Sequence, residues 1–314
     1  MRLPRSSHGA ALLAALLTVA LVATLAAAGL WQQWRSVEVE IAERARMQAG
    51  WVLTGALDWG RLILREDART GVVDHLAEPW AVPLQEARLS SFLAANREAS
   101  TEGSDIDNAF LSGEIVDLQS RLNVMNLLDN GNVSEAGVRS FQRLFETLAL
   151  PPAQLELLVG NLRQAAGATD PNTTSAAAPL MPQRASDLGW LGLPPATVTA
   201  LQPHVTVLPV RTPVNLNTAS EQVIQAAIDG ISPADAQRIT SARASSHFRT
   251  VADAMRLIGD AGGGKPGDAF VSVATRFFEI QGRLRLGDTV VEDRTVVQRE
   301  GLDVRPLWRE RGVR

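Results

Sequence analysis

The sequence predicts an α+β protein in which a long N-terminal helix leads into an antiparallel sheet domain with a large helical insertion domain. Three observations support this class. Residues 10–30 carry no charge, and helical spacing continues from there to about residue 65. Residues 70–120 and 268–314 contain short apolar stretches separated by turn residues, which is typical of strands. The intervening residues, 121–260, have mostly helical spacing.

The apolar segment Ala10–Leu30 follows a short basic leader, residues 1–9, and is long enough to cross a bilayer as a helix of roughly 30 Å. It has two interpretations. A cleaved secretory signal would use the small residues Ala26–Ala28 as its cleavage site. A permanent anchor is favoured by the length of the segment and by the interfacial position of Trp31 and Trp34. In either case the basic leader keeps the N-terminus in the cytoplasm and places the later residues outside it.

Helical patterning continues beyond the apolar segment. Apolar residues recur at spacings of three and four with charged residues between them, which predicts an amphipathic helix. A single helix over 10–68 would therefore contain a membrane-spanning part, 10–30, and an amphipathic part. The apolar stripe consists of Trp31, Trp34, Val37, Ile41, Ala45, Ala49, Val52 and Ala56.

Composition excludes several kinds of site. The chain has no cysteine, so it has neither a disulfide framework nor a thiol nucleophile. Its net charge of −4 gives no general attraction to nucleic acid. The four histidines lie far apart in the sequence without metal-ligand spacing, and no nucleophile motif is present, so we predict no catalytic residue and no enzyme. The histidines are His8, His75, His204 and His247.

The helical block contains an internal repeat. The segments Leu148–Ala153, Leu191–Ala196 and Asp229–Ala234 share the order hydrophobe, Pro or Ser, Pro, Ala. Proline is favoured in the first turn of a helix, where its missing N–H costs nothing. Each copy therefore predicts the start of a helix after a tight turn.

The third copy lies in a longer unit, 213–259, which is similar to the helix-hairpin-helix modules of competence-type DNA-binding proteins. Those modules bind phosphate through backbone N–H groups of the hairpin. Here the unit has four acidic and four basic residues, and Pro233 removes one backbone donor. Since phosphate binding requires a basic excess, a structural role is favoured. A periplasmic DNA-uptake or adhesion protein is the alternative function.

The N-terminus resembles that of type IV pilins and pseudopilins. In that family a prepilin peptidase cuts after the glycine that ends the leader, which here predicts cleavage between Gly9 and Ala10 and methylation of Ala10. Most pilins carry Glu at the fifth mature position, where it pairs with the terminal amine of a neighbouring subunit. Ala14 stands there in this chain, which makes it a poor repeating unit of a filament.

Two internal segments are similar to signatures of the minor pseudopilin K family of type II secretion systems. The segment 115–127 follows that family's pattern I-x-D-L-Q-G-R-F-N-L-N-N-L, with Ser120, Leu122 and Met125 as departures. The segment 213–220 contains the second signature. The matching polar residues, for which we expect a structural role at a strand-to-helix junction, are Asp117, Gln119, Arg121, Asn123, Asn126, Asn215 and Asn217.

The resemblance implies a non-enzymatic subunit that caps a pseudopilus together with minor pseudopilins I and J. It divides the chain into a leader (1–9), the long helix (10–68), a pseudopilin domain (69–120 and 262–314) and the helical insertion (121–261). It implies a single-pass inner-membrane protein with its C-terminal bulk in the periplasm. Its further partners would be other pseudopilins, the prepilin peptidase, the inner-membrane secretion platform and secreted substrates, and no nucleic acid is expected.

Calcium is implied by the resemblance alone, because relatives carry acidic loops in the helical domain. The corresponding stretch, about 168–188, offers only Asp170, Asn172 and Asp187 as weak candidates. Calcium takes six to eight oxygen ligands, several of them carboxylates. No other cofactor is predicted.

Overall fold

The computed structural model describes residues 8–90, 109–167, 178–258, 271–287 and 289–313. Its first element is helix α1, His8–Thr70, which runs without a break through both the apolar and the amphipathic segments. No proline interrupts this stretch. The predicted single long helix is therefore confirmed.

A five-stranded sheet packs against the C-terminal part of α1. Its strands lie in the order β1-β2-β9-β10-β11, and each neighbouring pair is antiparallel. The β9–β10 hairpin turns at Gly287, where a φ of +55° favours glycine. The strands are β1 Leu84–Arg88, β2 Ala109–Asp117, β9 Phe277–Leu286, β10 Thr289–Glu300 and β11 Asp303–Val313.

Small residues let α1 approach the sheet closely. A Cβ on Gly60 would lie 3.1 Å from Cγ2 of Ile280 in β9, so a larger residue there would require the Ile280 side chain or the helix to shift. On either side of this contact, Leu53, Leu57 and Leu64 are buried between the helix and the strands. Each such side chain contributes about 1.5–3 kcal/mol by leaving water.

The residues between β2 and β9 form a helical unit with its own apolar core, in which Phe141, Leu144, Phe145, Leu158 and Leu162 are fully buried. Three of its helices begin at Pro152, Pro195 and Pro233, as the repeat predicts. The helices are α2 Glu135–Thr147, α3 Pro152–Gly167, α4 Pro195–Leu201, α5 Glu221–Ala227, α6 Pro233–Ser245 and α7 Val251–Ile258. Short 3-10 helices lie at Pro79–Ala81, Leu118–Ser120, Val124–Leu127 and Ala185–Leu191.

Short strand pairs connect distant segments of this unit. Strand β3, Leu122–Asn123, pairs in parallel with β6, Val205–Thr206, and β7, Val214–Asn215, pairs in parallel with β8, Val271–Ser272. Strands β4, Leu128–Asp129, and β5, Asn132–Val133, form a small hairpin. The β3–β6 pair brings the segment after β2 together with residues 83 positions later.

Gly137, near the start of α2, marks a close approach that the sequence analysis did not identify. A Cβ at this position would lie 2.0 Å from the carbonyl oxygen of Asn126. Both partners are backbone, so neither can move without shifting a helix or the signature segment. Gly160, exposed in α3, has no atom within 4 Å of the corresponding position and provides a matched control.

We expect Gly137→Ala to lower the free energy of unfolding by about 2–3 kcal/mol through overpacking. Gly160→Ala should raise it by about 0.5–1 kcal/mol, since alanine is the better helix former. Urea unfolding of the full chain in detergent, followed by circular dichroism, measures both. Equal effects of the two substitutions would contradict the close contact.

Candidate functional site

The N-terminal part of α1 has the length and composition of a membrane anchor. Its most apolar stretch has a mean hydropathy of 2.5, and no residue of that stretch is buried by the rest of the described chain. One such helix near the N-terminus fits a single-pass anchor. Gly9 and Ala10, the predicted cleavage site, lie in the first turn of α1. Their processing stays a prediction.

The amphipathic stripe of α1 is covered only in part by this chain. From Ala49 onward it packs on the sheet, whereas Trp34, Val37 and Ile41 stay 60%, 47% and 63% exposed. We call the stretch Trp31 to Ile41 of this stripe the exposed helix face. Its apolar residues share the helix with ion pairs such as Arg44–Glu40, 3.2 Å apart. An apolar face of this kind outside the bilayer is suited to packing against other helices.

A buried carboxylate fixes α1 on the sheet. Asp293 of β10, only 4% exposed, accepts hydrogen bonds from Arg309 Nε at 2.8 and 2.9 Å and from Arg311 Nε at 3.0 Å. The two guanidinium groups continue to the helix, where Arg309 donates to Oγ1 of Thr54 and Arg311 to the carbonyl oxygen of Gly50. This carboxylate therefore links β10 to α1 through two arginines of β11.

The first signature residue, Asp117, lies at the end of β2 and is 2% exposed. Its Oδ1 accepts from the backbone N–H of Gln119 at 2.7 Å, which caps the 3-10 helix that follows. Its Oδ2 accepts from the hydroxyl of Thr218 at 2.6 Å and from the amide of Asn215 at 3.0 Å. Burial raises the pKa of Asp117, and these donors oppose that effect.

Asn123 and Asn126 join the first signature segment to residues 208–212. Asn123 donates to the carbonyl oxygen of Val210 at 2.7 Å and accepts from the N–H of Leu208 at 3.1 Å. Asn126 exchanges two hydrogen bonds with the backbone of Thr212, at 2.8 and 3.0 Å. These side chains supply to the backbone of residues 208–212 the hydrogen bonds that a neighbouring strand would otherwise make.

Asn215, Asn217 and Gln119 complete the connection. Besides Asp117, the Asn215 amide donates to the carbonyl oxygen of Asp74, and its Oδ1 accepts from the N–H of Asn217. Asn217 in turn exchanges two hydrogen bonds with the backbone of Phe248. Gln119 bridges the carbonyl oxygen of Pro213 and the N–H of Arg276. Every one of these three side chains links two separate chain segments.

An arginine extends the network to the end of α1. Arg299 of β10, buried like its partners, forms ion pairs with Asp67 in the last turns of α1, at 2.7 Å, and with Asp74. Burial raises the pKa of Asp74 to about 6, while Arg299 opposes the shift. We call Asp74, Asp117, Gln119, Asn215, Thr218 and Arg299 the polar junction.

Oxygens of Asp67, Asp74 and Glu78 lie within 4.8 Å of one another, a spacing that could hold a metal ion. Arg299 already supplies positive charge to two of these carboxylates. Glu78 instead accepts from the N–H of His75 at 2.8 Å and from the indole N–H of Trp80 at 2.7 Å. Protein groups therefore already contact all three carboxylates that could bind the metal ion. Burial also raises the pKa of Glu78 to about 7.

Two of the histidines that lie far apart in sequence meet in the structure. The rings of His75 and His247 stack with centroids 3.7 Å apart and an interplanar angle of 11°. The contact joins the segment after α1 to the loop before α7. Burial and the neighbouring His247 lower the pKa of His75. Because stacked rings present faces and not lone pairs to each other, the pair is a packing contact, not a metal site.

Arg121 differs from the other signature residues. Its backbone N–H bonds to the carbonyl oxygen of Leu118, but within the described ranges its side chain forms neither a hydrogen bond nor an ion pair. It lines a polar cavity between the helical unit and the sheet. Six of the seven signature residues are thus used within the fold, and the seventh faces a groove.

Of the three calcium candidates, only Asp187 lies in the part of the chain that the structure describes. Asp187 caps the 3-10 helix Ala185–Leu191, where its Oδ2 accepts from the N–H groups of Gln183 and Arg184, both at 3.1 Å. An oxygen that accepts two N–H bonds is a poor cation ligand. Asp170 and Asn172 lie outside the described residues.

The predicted hairpin of helices is present as α5, a turn at Gly230 and α6. A phosphate would bind at the N-terminus of α6. There the carboxylate of Asp235 accepts from both the N–H and the hydroxyl of Ser232, at 2.9 and 2.7 Å. These hydrogen bonds lower the pKa of Asp235, so a negative charge already stands at this end of the helix.

Two family models match the helical unit and its junction. Both are described as type II secretion system protein K, and they match residues 120–210 and 214–272. Type II secretion system protein K of Pseudomonas aeruginosa PAO1 is 28% identical over 305 residues, covering 90% of this chain and 86% of that protein. These matches make the chain similar to the type II secretion protein K family over most of its length.

The solved structures agree with this assignment at the level of the fold. A chain of the GspK-GspI-GspJ complex from the type 2 secretion system of enterotoxigenic Escherichia coli superimposes with a TM-score of 0.67. It is 16% identical, and the match covers 86% of this chain and 98% of that one. The α+β fold is therefore shared, and the long apolar N-terminal helix is seen in the structure of this chain. Both K-family relatives are named as secretion-system components and not as enzymes.

Asp117→Ala should lower the free energy of unfolding by about 2–4 kcal/mol, because it removes the acceptor of three hydrogen bonds, from Gln119, Asn215 and Thr218. Asp303→Ala, an exposed change at the start of β11, should cost less than about 0.5 kcal/mol. Chemical unfolding of the full chain in detergent gives both values. A loss below about 1 kcal/mol for Asp117→Ala would show that the carboxylate does not hold the junction.

The raised pKa of Glu78 predicts a pH dependence. A carboxyl group whose pKa rises from 4.5 to about 7 on folding stabilises the protein most below its unfolded pKa, and that contribution is lost as the pH rises to about 7. Glu78→Gln should therefore flatten the fall in melting temperature between about pH 5 and 8. Glu156→Gln, an exposed change on α3, is the control. Parallel profiles for wild type and Glu78→Gln would refute the assignment.

Proposed function

We propose that the chain is a non-enzymatic minor pseudopilin of a type II secretion system. It caps the pseudopilus tip in complex with minor pseudopilins I and J and supports export of folded proteins across the outer membrane. The observation that carries this proposal is the exposed helix face, which continues the apolar anchor and is left uncovered by the described chain. A helix with such a face needs partner helices.

Two features support a place at the tip. Ala14 provides no carboxylate for the amine of a neighbouring subunit, so a filament cannot propagate through the usual pair. The helical unit adds a second core beside the sheet, joined to it by the polar junction. Such bulk beyond the sheet would hinder the stacking of a further subunit.

The partners follow from the family. The solved Escherichia coli chain that shares this fold is part of the GspK-GspI-GspJ complex. This supports minor pseudopilins I and J as partners of this chain. Other pseudopilins, the inner-membrane platform and secreted substrates complete the proposed set. The prepilin peptidase would cut between Gly9 and Ala10, which leaves a methylated Ala10.

We place the protein in the inner membrane with one span and with its bulk in the periplasm. The proposed division remains the long helix (10–68), the pseudopilin domain (69–120 and 262–314) and the helical insertion (121–261). The alternative of DNA uptake is less well supported, because Asp235 occupies the end of α6 where a phosphate would bind.

Substitution on the exposed helix face tests the proposal. Ile41→Glu should reduce co-purification of I and J with the tagged full chain by about tenfold, because it places a charge in an apolar helix interface. Its own fold should be unaffected, since Ile41 is 63% exposed in the single chain. Gln32→Glu is the matched control, because nine residues correspond to about two and a half helical turns and place it on the opposite side.

Equal co-purification of both variants would contradict the proposed interface. Mass spectrometry of the same preparation gives the mature N-terminus. A methylated Ala10 is expected, whereas a start after Ala28 would make the apolar segment a cleaved signal and remove the anchor.

A further inference from the structure

A polar groove of about 420 Å³ lies between the helical unit and the sheet, on the face turned away from α1. Arg294 and Val296 of β10 line it, and they alternate along the strand with Asp293 and Thr295, which face the helix. Arg121 and Arg184 contribute from the helical side. The volume is within the range of ordinary ligand pockets.

The positive charges of this groove are only partly neutralised. Arg184 forms an ion pair with Glu310 at 2.5 Å and lies over the ring of Trp308, 5.7 Å from its centroid. Glu279 accepts a hydrogen bond from Gln281. Arg121 and Arg294 form no ion pair with any residue in the described ranges. Two guanidinium groups therefore face the same space with free N–H donors.

The chemistry of the lining indicates the class of ligand. Guanidinium groups are suited to binding carboxylates with paired hydrogen bonds. The side-chain amides of Gln183, Gln202 and Gln281 provide both donors and acceptors, as a peptide backbone requires. Trp308 adds an apolar surface. Glu279 and Glu310, in the same groove, are already engaged by Gln281 and Arg184.

We infer that this groove binds an extended acidic peptide segment of another protein, with its carboxylates on Arg121 and Arg294. This site goes beyond the tip role and does not depend on it, because it lies on a different surface from the exposed helix face. It also gives a use to Arg121, the signature residue whose side chain forms neither a hydrogen bond nor an ion pair within the described ranges.

Fluorescence anisotropy of the full chain in an uncharged detergent tests the inference. The probe is a fluorescein-labelled peptide, Gly-Asp-Glu-Leu-Asp-Glu-Gly, and the control peptide replaces each acid by its amide. We expect Arg121→Gln and Arg294→Gln each to weaken binding of the acidic peptide by about fivefold, and higher salt to weaken it further. Arg249→Gln, which removes the charge of an exposed arginine outside the groove, should change it less than about twofold.

Several results would overturn the inference. These are no binding of the acidic peptide by wild type, equal binding of the amide peptide, or equal losses in all three variants. Displacement of the peptide by inorganic phosphate at equal concentration would show a simple anion site. Circular dichroism melting of each variant checks folding, and the two groove variants on separate elements provide independent readings.

Discussion

The buried carboxylate of Asp117 connects segments that the chain order keeps far apart. It receives hydrogen bonds from Gln119, next to it, and from Asn215 and Thr218, about a hundred residues later. Asn215 also reaches the backbone of Asp74, whose side chain pairs with Arg299, and Arg299 pairs with Asp67 in α1. The sheet, the helical unit and the long helix are therefore oriented through one continuous set of polar contacts.

The polar junction contributes more to the relative orientation of these elements than to the stability of the fold. An apolar junction of the same volume would be about as stable, because the desolvation of buried charges offsets much of their attraction. Apolar packing, however, tolerates sliding, whereas each carboxylate here accepts from donors at fixed positions. We interpret the polar junction as a device for holding the helical unit at one angle to α1, which a subunit that must fit a defined assembly requires.

The sequence was informative wherever local chemistry decides the structure. The uninterrupted helix, the prolines that begin three helices and the strands of the C-terminal segment were predictable because propensity and pattern act over a few residues. The signature residues could be named, but their partners could not, because the pairing of Asn123 with 208–210 depends on tertiary approach. For the same reason the Gly137 contact and the stack of His75 on His247 had no local signal.

The two ends of α1 differ in how far the rest of the fold covers them. At the C-terminal end the helix is held by Arg299 and by the Asp293 cluster, so it cannot turn without breaking buried ion pairs. At the N-terminal end it shows apolar side chains that its own fold does not cover. Since the junction fixes the direction of that uncovered face relative to the helical unit, partners bound along α1 would determine which way the groove at Arg121 points. The proposed helix interface and the proposed groove site would therefore have a fixed orientation relative to each other.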